Sequence, residues 1–360
     1  MSGCRKLLFY THGLSGGGAE RVIARLASGF AARGDNVILT VDFEAQENLG
    51  FLSKDVDLRL LPPGHARAVQ GLARMLRQEQ PAVSVSAISV SNLKHAAAAM
   101  IAGRSRRAIL CYHGFYESEP QRLSNIGYRL TPVLSRLTGA TVAVSNCLRD
   151  DLLSRFSASR ARVRTIYNPA APDPFPAEMS EEELGNRPPL VLTLGRLVTD
   201  KDYITLLRAF ARVRHPDGRL VILGEGPERS RLEAESRALG IENRIAMPGF
   251  RSGVSAEFAQ ARCFALSSIR ESFSLACVEA IAHGLPAIVT NCGGPAEIVN
   301  APAIGTIVPV GDVDALAQAI DAKLAQPGAP KPRQDRASAF SLEAALDCYD
   351  ALIHELIRSN

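Results

Sequence analysis

At 360 residues, with 46 % hydrophobic and 22 % charged side chains, the chain has the composition of a globular protein and the length for two ordinary domains. No apolar run approaches the roughly eighteen residues of a membrane span, which excludes a transmembrane helix. The net charge of +4 hides an asymmetry: residues 1–170 hold 22 Lys+Arg against 12 Asp+Glu, and residues 171–360 hold 19 against 25.

The amino terminus, MSGCRKLLFYTHGL, has too short an apolar run for a secretion signal and reads as a first strand, Leu7–Thr11, entering a glycine loop. A helix follows over Ala19–Ala32, with Val22, Ile23, Leu26 and Phe30 on one face and Gly34 as its stop. Further strands are predicted at Val37–Val41, Val83–Ile88, Ala108–Tyr112, Thr141–Val144 and Val163–Tyr167. The proline-rich NPAAPDPFP and the acidic EEELGNRPP then mark a linker over 171–188. Beyond it the alternation resumes with strands at Leu190–Leu194, Leu220–Leu223, Ile245–Met247, Cys263–Ser267, Ala287–Thr290 and Thr306–Val308. Helices are predicted between them, among them Tyr203–Val213 and Val313–Ala325. Regular βα alternation implies parallel sheets covered on both faces. The expected organisation is a Rossmann-like domain over 1–170, a second over 189–341, and a cleft at the carboxyl ends of their strands. The helix after PGAPKPRQ, Leu342–Arg358, comes too late to build a sheet and is expected to return to the first domain.

Seven cysteines (Cys4, Cys111, Cys147, Cys263, Cys277, Cys292 and Cys348) form no CxxC pair and no metal spacing, so reduced thiols in a cytoplasmic protein are expected. Of the D-x-D sequences, Asp312–Asp314 reads as a helix cap, and neither Asp55–Asp57 nor Asp200–Asp202 falls where a metal would bridge a ligand. No metal site and no nucleic-acid partner is expected.

Chemistry concentrates in a few loops. THGLSGGGAER puts glycines 13, 16, 17 and 18 between a strand and a helix, where backbone approaches a ligand closely and free helix N–H groups attract an anion. It is not GxGxxG. Asp42, closing the second strand, keeps a nicotinamide dinucleotide reading open as a minor alternative. In LVLTLGRLVTDKDY a strand ends at Gly195, and Arg196 and Lys201 follow within one loop; a guanidinium fork and a point charge suit a diphosphate. GEGPE (Gly224 to Glu228) and MPGFR (Met247 to Arg251) end strands in glycine turns that could let a planar base lie against backbone. SSIRESFSLACVEAIAHGLP sets two carboxylates, Glu271 in a strand-to-helix loop and Glu279 on the helix, within small and apolar surroundings, where a carboxylate needs a partner.

In this order the segments SGGGAER, GRLVTDK, GEGPE, ESFSLACVEA with its E-x7-E spacing, and GLPAIVTNCGGPAEIV resemble the retaining nucleotide-sugar glycosyltransferases of family four, the group 1 glycosyltransferases. Their fold is GT-B, two facing Rossmann-like domains, with the carboxyl-terminal helix returning to the first. The resemblance implies that Arg196 and Lys201 neutralise the donor diphosphate, Glu279 holds the ribose hydroxyls and Glu271 contacts the donor sugar. Backbone amides at Phe273 and Ser274 would bind sugar or phosphate oxygens, and Gly16 and Gly17 would approach the phosphates from the other domain. Gly249, Phe250 and Arg251 join the donor site, and His113, in CYHGF, would lie near sugar and acceptor. Asp202 and Ser272 stand where glycine is common in the family. The implied activity is metal-independent transfer of a hexose, UDP-linked by preference, to a saccharide or lipid-linked saccharide in cell-envelope polysaccharide biosynthesis. No cofactor is expected beyond the donor, and the basic first domain suggests peripheral contact with an anionic membrane. A nucleotide-sugar 2-epimerase of the same fold and a non-catalytic sugar-nucleotide binding protein are the alternatives. Paired carboxylates also serve glycoside hydrolysis, but hydrolysis gives no reason for the Arg–Lys loop.

Overall fold

The computed structural model describes residues 4–119, 121–251 and 253–359. The chain folds into two compact units, Met1–Pro169 together with Leu342–Asn360, and Ala170–Ser341.

The first unit is built on seven parallel strands: β1 (Lys6–Thr11), β2 (Asn36–Val41), β3 (Asp57–Leu60), β4 (Val83–Ala87), β5 (Ala108–Tyr112), β6 (Ala140–Ala143) and β7 (Val163–Thr165). They lie in the order β3-β2-β1-β4-β5-β6-β7, so Leu7 pairs with Val37 on one side and Val83 on the other. Leu7, Leu8, Phe9 and Tyr10 of β1 are all buried, as a central strand covered on both faces requires. Helices α1 (Gly18–Ala32), α2 (His65–Glu79), α3 (Ser89–Ile101), α4 (Arg122–Arg129) and α5 (Thr131–Leu137) pack around the sheet. Strand β3 is an addition to the sequence reading. It is an edge strand, DLRL, with most of its side chains exposed, so the apolar run that marks the others is missing.

The helix Leu342–Arg358 belongs to this unit, as expected. Arg5 donates to Asp350 Oδ1 at 2.5 Å, and Tyr349 Oη lies 3.3 Å from Cys111 Sγ. Gly29 has no side chain because a Cβ there would come within 2.7 Å of Leu346 Cδ1.

In the second unit six parallel strands, β8 (Leu190–Leu194), β9 (Arg219–Leu223), β10 (Ile245–Gly249), β11 (Cys263–Leu266), β12 (Ala287–Thr290) and β13 (Gly305–Val308), run in the order β10-β9-β8-β11-β12-β13. The segment read as a linker is packed onto this unit. The amides of Ala170 and Ala171 both donate to Phe340 O at 3.0 Å, a capping box at Ser180 starts a short helix Glu181–Gly185, and Leu184 is fully buried. Proline-rich sequence here denotes irregular backbone held in place. All seven cysteines are free thiols.

Candidate functional site

An open parallel sheet binds ligands where its strand order reverses, because the loops leaving neighbouring strands there diverge to opposite faces. In the second unit the reversal lies between β8 and β11. The loop after β8 carries Gly195, Arg196 and Lys201, and the loop after β11 carries Ser268 and Glu271. Glu271 Oε2 accepts from Lys201 Nζ and, at 3.1 Å, from Ser268 Oγ. The Lys201 and Glu271 side chains are only 20 % and 15 % exposed, so each is the other's main electrostatic partner. Arg196, by contrast, is exposed, and its guanidinium has no partner among the described residues. Two residues assigned to different parts of a donor therefore meet, while the third stands open to a ligand.

Glycine spacing in the adjoining loops is explained by backbone packing. A Cβ on Gly224 would come within 2.0 Å of Gly195 O, and one on Gly226 within 2.4 Å of Leu197 O. The loops are stitched by Gly195 N to Leu223 O at 3.0 Å, Leu197 N to Glu225 O at 2.9 Å and Gly224 N to Gly249 O at 2.9 Å. GEGPE thus shapes the Arg196 loop, and a side chain at either of its glycines would meet protein backbone. Beyond them Gly249 turns the chain at φ +90°, Phe250 is 67 % exposed and Arg251 is exposed, an open aromatic face and a cation at the same carboxyl edge.

NCGG has the same logic. Gly294 packs so that a Cβ would lie 2.1 Å from Ser272 O, and its amide donates to Glu271 O at 2.9 Å, while Glu271 N donates to Cys292 O at 3.1 Å. This fixes the Glu271 loop from behind. The helix Leu275–Ala282 starts just after it. Ser274 Oγ accepts from Cys277 N at 3.2 Å, so this hydroxyl caps its own helix. The Phe273 ring is buried and meets Phe340 edge-on at 5.5 Å. Glu279, in the second turn, is 6 % exposed.

Asp202 answers to geometry. It holds φ 45° and ψ 47°, a left-handed conformation that costs an ordinary L residue about 1–2 kcal/mol and glycine almost nothing. Its carboxylate offsets part of that cost by capping the next helix at Thr205 N, 3.3 Å away.

In the first unit the reversal lies between β1 and β4, and the glycine loop leaves β1 there. Asn48, buried and invisible as a site residue in the sequence, donates from its side-chain amide to Ser15 O and, at 3.1 Å, to Gly17 O. It turns the loop carbonyls inward. Helix α1 has no side-chain cap, but the Glu20 carboxylate lies where a Gly17 Cβ would sit, 2.0 Å from it, so an anion would have to displace Glu20. Gly16 is open. Ile88, just after β4, holds φ 67° and ψ 148°, a region almost reserved for glycine, where strain of roughly 1–3 kcal/mol collects at working sites. Asp42 is occupied: it accepts from Tyr10 Oη at 2.9 Å and Lys94 Nζ at 2.5 Å, and lies 2.6 Å from His12 Nδ1. That removes the nicotinamide reading, which needed this carboxylate free for a ribose. His113 follows β5 and is half-buried, and desolvation lowers its pKa to about 4, so the ring is neutral at ordinary pH. Among the described residues no three His, Cys, Asp or Glu side chains gather as metal ligands, and no helix is long and apolar enough to cross a membrane.

Two Rossmann-like units with three-two-one-four strand order, each presenting loops at a reversal point, define the GT-B class of fold. Residues 16–173 match the family described as Glycosyltransferase Family 4, and residues 175–339 match Glycosyl transferases group 1. The chain belongs to this family of group 1 glycosyltransferases. Among solved structures, Alr3699/HepE of Anabaena, in complex with UDP and glucose, is 20 % identical with a TM-score of 0.81, covering 98 % of this chain and 100 % of that one. At that identity the likeness establishes the fold. The GDP-mannose-dependent alpha-(1-6)-phosphatidylinositol monomannoside mannosyltransferase of Mycolicibacterium smegmatis is 34 % identical over 173 residues, 44 % of each chain. The N-acetylgalactosamine-N,N'-diacetylbacillosaminyl-diphospho-undecaprenol 4-alpha-N-acetylgalactosaminyltransferase of Campylobacter jejuni is 28 % identical over 176 residues, 49 % of this chain and 48 % of that one. The matched stretch spans about half the length of these curated relatives or less.

Proposed function

We propose that the protein transfers a hexose from a nucleoside-diphosphate sugar, UDP-linked by preference, to a saccharide or lipid-linked saccharide, with retention of configuration and without a metal ion. The observation that carries this reading is the grouping at the β8–β11 reversal: an open arginine, a lysine held by a carboxylate, and a helix start behind them. Arg196 and Lys201 would carry the charge of the diphosphate that a divalent cation carries elsewhere. Glu271 would exchange its hold on Lys201 for the hydroxyls of the sugar. Glu279 would take the ribose, and the exposed ring of Phe250 with Gly249 and Arg251 would meet the base. Gly16, Gly17 and neutral His113 of the first unit complete the residues read as donor-binding; His113 then acts as a hydrogen-bonding group, since an imidazole with a pKa near 4 carries no proton to give at neutral pH. In a retaining front-face transfer the leaving phosphate oxygen takes the acceptor proton, so no protein nucleophile is required.

UDP in the Anabaena complex and GDP-mannose in the mycobacterial name support a nucleotide-sugar donor and divide on the base. The diphospho-undecaprenol and phosphatidylinositol of the relatives' names support a lipid-linked acceptor, which the basic first unit could approach at a membrane. A thermal-shift panel of UDP- and GDP-sugars identifies the donor through the stabilisation that a native-state ligand confers. Nucleoside diphosphate should then be released only when an acceptor is added, and proton NMR should give the product the donor's anomeric configuration. Turnover should survive EDTA. Inversion at C2 of the donor sugar without an acceptor would favour the epimerase, and binding without turnover a non-catalytic module.

A further inference from the structure

His12 and Phe43 lie at the carboxyl edge of the first unit's sheet, on the loops that leave β1 and β2 beside the reversal point. The parallel pairing of these strands runs one step past Thr11 and Val41, since Asp42 N donates to His12 O at 3.0 Å. That step sets the His12 imidazole against the Asp42 carboxylate, and its ring edge-on to Phe43, with centroids 4.9 Å apart at 83°. Gly13 leaves room for the phenyl ring: a Cβ there would come within 2.5 Å of Phe43 Cζ. Phe43 is thus backed by bare backbone and is 40 % exposed. The Asp42 carboxylate does not need His12. Lys94 Nζ, from α3, neutralises it at 2.5 Å, and Tyr10 Oη donates to its Oδ1 at 2.9 Å. What Asp42 does is fix the imidazole. A carboxylate only accepts, so the ring proton lies on Nδ1 and the neutral ring presents its lone pair at Nε2. Nε2 has no hydrogen-bond partner among the described residues, and the His12 side chain is 29 % exposed.

We propose that His12 and Phe43 form a saccharide subsite, in which a neutral sugar ring lies on Phe43 and one of its hydroxyls donates to His12 Nε2. A flat apolar surface beside one oriented polar group suits a ring whose faces are C–H and whose rim is hydroxyl. A phosphorylated ligand fits worse. Glu20 stands beside Gly17, and Glu44 and Glu47 are exposed on the loop after β2, whereas the cluster's own cation, Lys94, is only 6 % exposed and held by Asp42. In the transferase reading, on which this role rests, the sugar is the acceptor. His12 orients its hydroxyl, and the proton still passes to the leaving phosphate oxygen.

The test watches His12 itself. In protein carrying isotope-labelled histidine, its Cε1–H resonance is the one missing from His12→Phe. Methyl glycosides of glucose, galactose, mannose and N-acetylglucosamine serve as probes, with inorganic phosphate at constant pH as the anionic comparison. At least one glycoside should shift the resonance saturably, and phosphate should not. Phe43→Ala should weaken that binding about fivefold or more, as loss of a stacked ring implies. Phe175→Ala removes an equally exposed ring from the second unit and should not change it. UDP, titrated by calorimetry, should bind wild type and Phe43→Ala alike. UDP binding without any glycoside shift overturns the subsite and leaves the transferase reading standing, whereas a glycoside shift without UDP binding overturns the transferase reading and leaves a saccharide site. Wild-type glycoside affinity in Phe43→Ala, or a His12 shift by phosphate at lower concentration than by any glycoside, would also overturn the subsite.

Discussion

Breaking the Lys201–Glu271 pair should separate a structural contribution from a ligand-binding one. With side chains 20 % and 15 % exposed, the pair lies between an exposed ion pair, worth about 0.2–1 kcal/mol, and a buried one, where removing one partner costs about 3–5 kcal/mol. Lys201→Met leaves the carboxylate with Ser268 Oγ, and Glu271→Gln leaves the ammonium facing an amide. Each should cost about 1–3 kcal/mol, which for a unit of this size is a melting-temperature drop of about 2–12 °C. The double variant should recover most of that, because no unpaired charge remains. Ligand binding should divide differently. Lys201→Met should weaken UDP itself by roughly ten- to a hundredfold, the value of a charge-assisted hydrogen bond. Glu271→Gln releases the lysine from its competing carboxylate, so UDP should bind as well as to wild type or better, while the preference for UDP-sugar over UDP disappears. Differential scanning calorimetry and isothermal titration with both ligands read all of this on the same samples. Weakening of UDP by Glu271→Gln as large as that by Lys201→Met would overturn this division of roles, since both residues would then only support the loop. Wild-type melting and UDP affinity in both single variants would sink it as well.

Other outcomes follow from the same geometry. Arg196→Ala, at an exposed residue without a partner among the described residues, should leave the melting temperature unchanged and cost roughly ten- to a hundredfold in UDP affinity; a drop in stability instead would mean that the guanidinium supports the fold. Glu279→Gln should weaken UDP more than inorganic diphosphate, and equal losses by titration calorimetry would assign this carboxylate to structure. Burial lowers the pKa of His113 to about 4 and of His95 to about 3, against 6.5 for an unperturbed imidazole. Unfolding therefore takes up protons between those values. The stability that neutral burial preserves is complete above about pH 6.5 and declines as the pH falls, by at most about 1.4 kcal/mol per pH unit for each histidine. Urea midpoints at pH 7.5, 6 and 5, which should fall in that order, test this; a flat profile would contradict it.

The βα alternation, the carboxyl-terminal helix and the order of the glycine and carboxylate motifs were legible because each has a local cause. Buried parallel strands need continuous apolar runs, amphipathic helices repeat their apolar face, and left-handed turns favour glycine. Leu190–Leu194, Ala108–Tyr112 and Leu342–Arg358 could be bounded to the residue on those grounds. Strand β3 could not, since edge strands give up the apolar pattern that identifies their neighbours. The linker composition of 171–188 marked irregular backbone but was silent on whether it packs. Nor could sequence spacing show that Gly224 and Gly294 face backbone, that Asn48 holds the glycine loop, or that Asp42 is already bound by Lys94, Tyr10 and His12. Above all, Lys201 and Glu271 are seventy positions apart. Strand order alone makes them neighbours: β8 and β11 pair side by side while β9 and β10 are laid to the other side, and the two loops leave the sheet from adjacent strands. Local chemistry selects elements and residue types, whereas partnership between charges is decided by which strands the topology sets side by side.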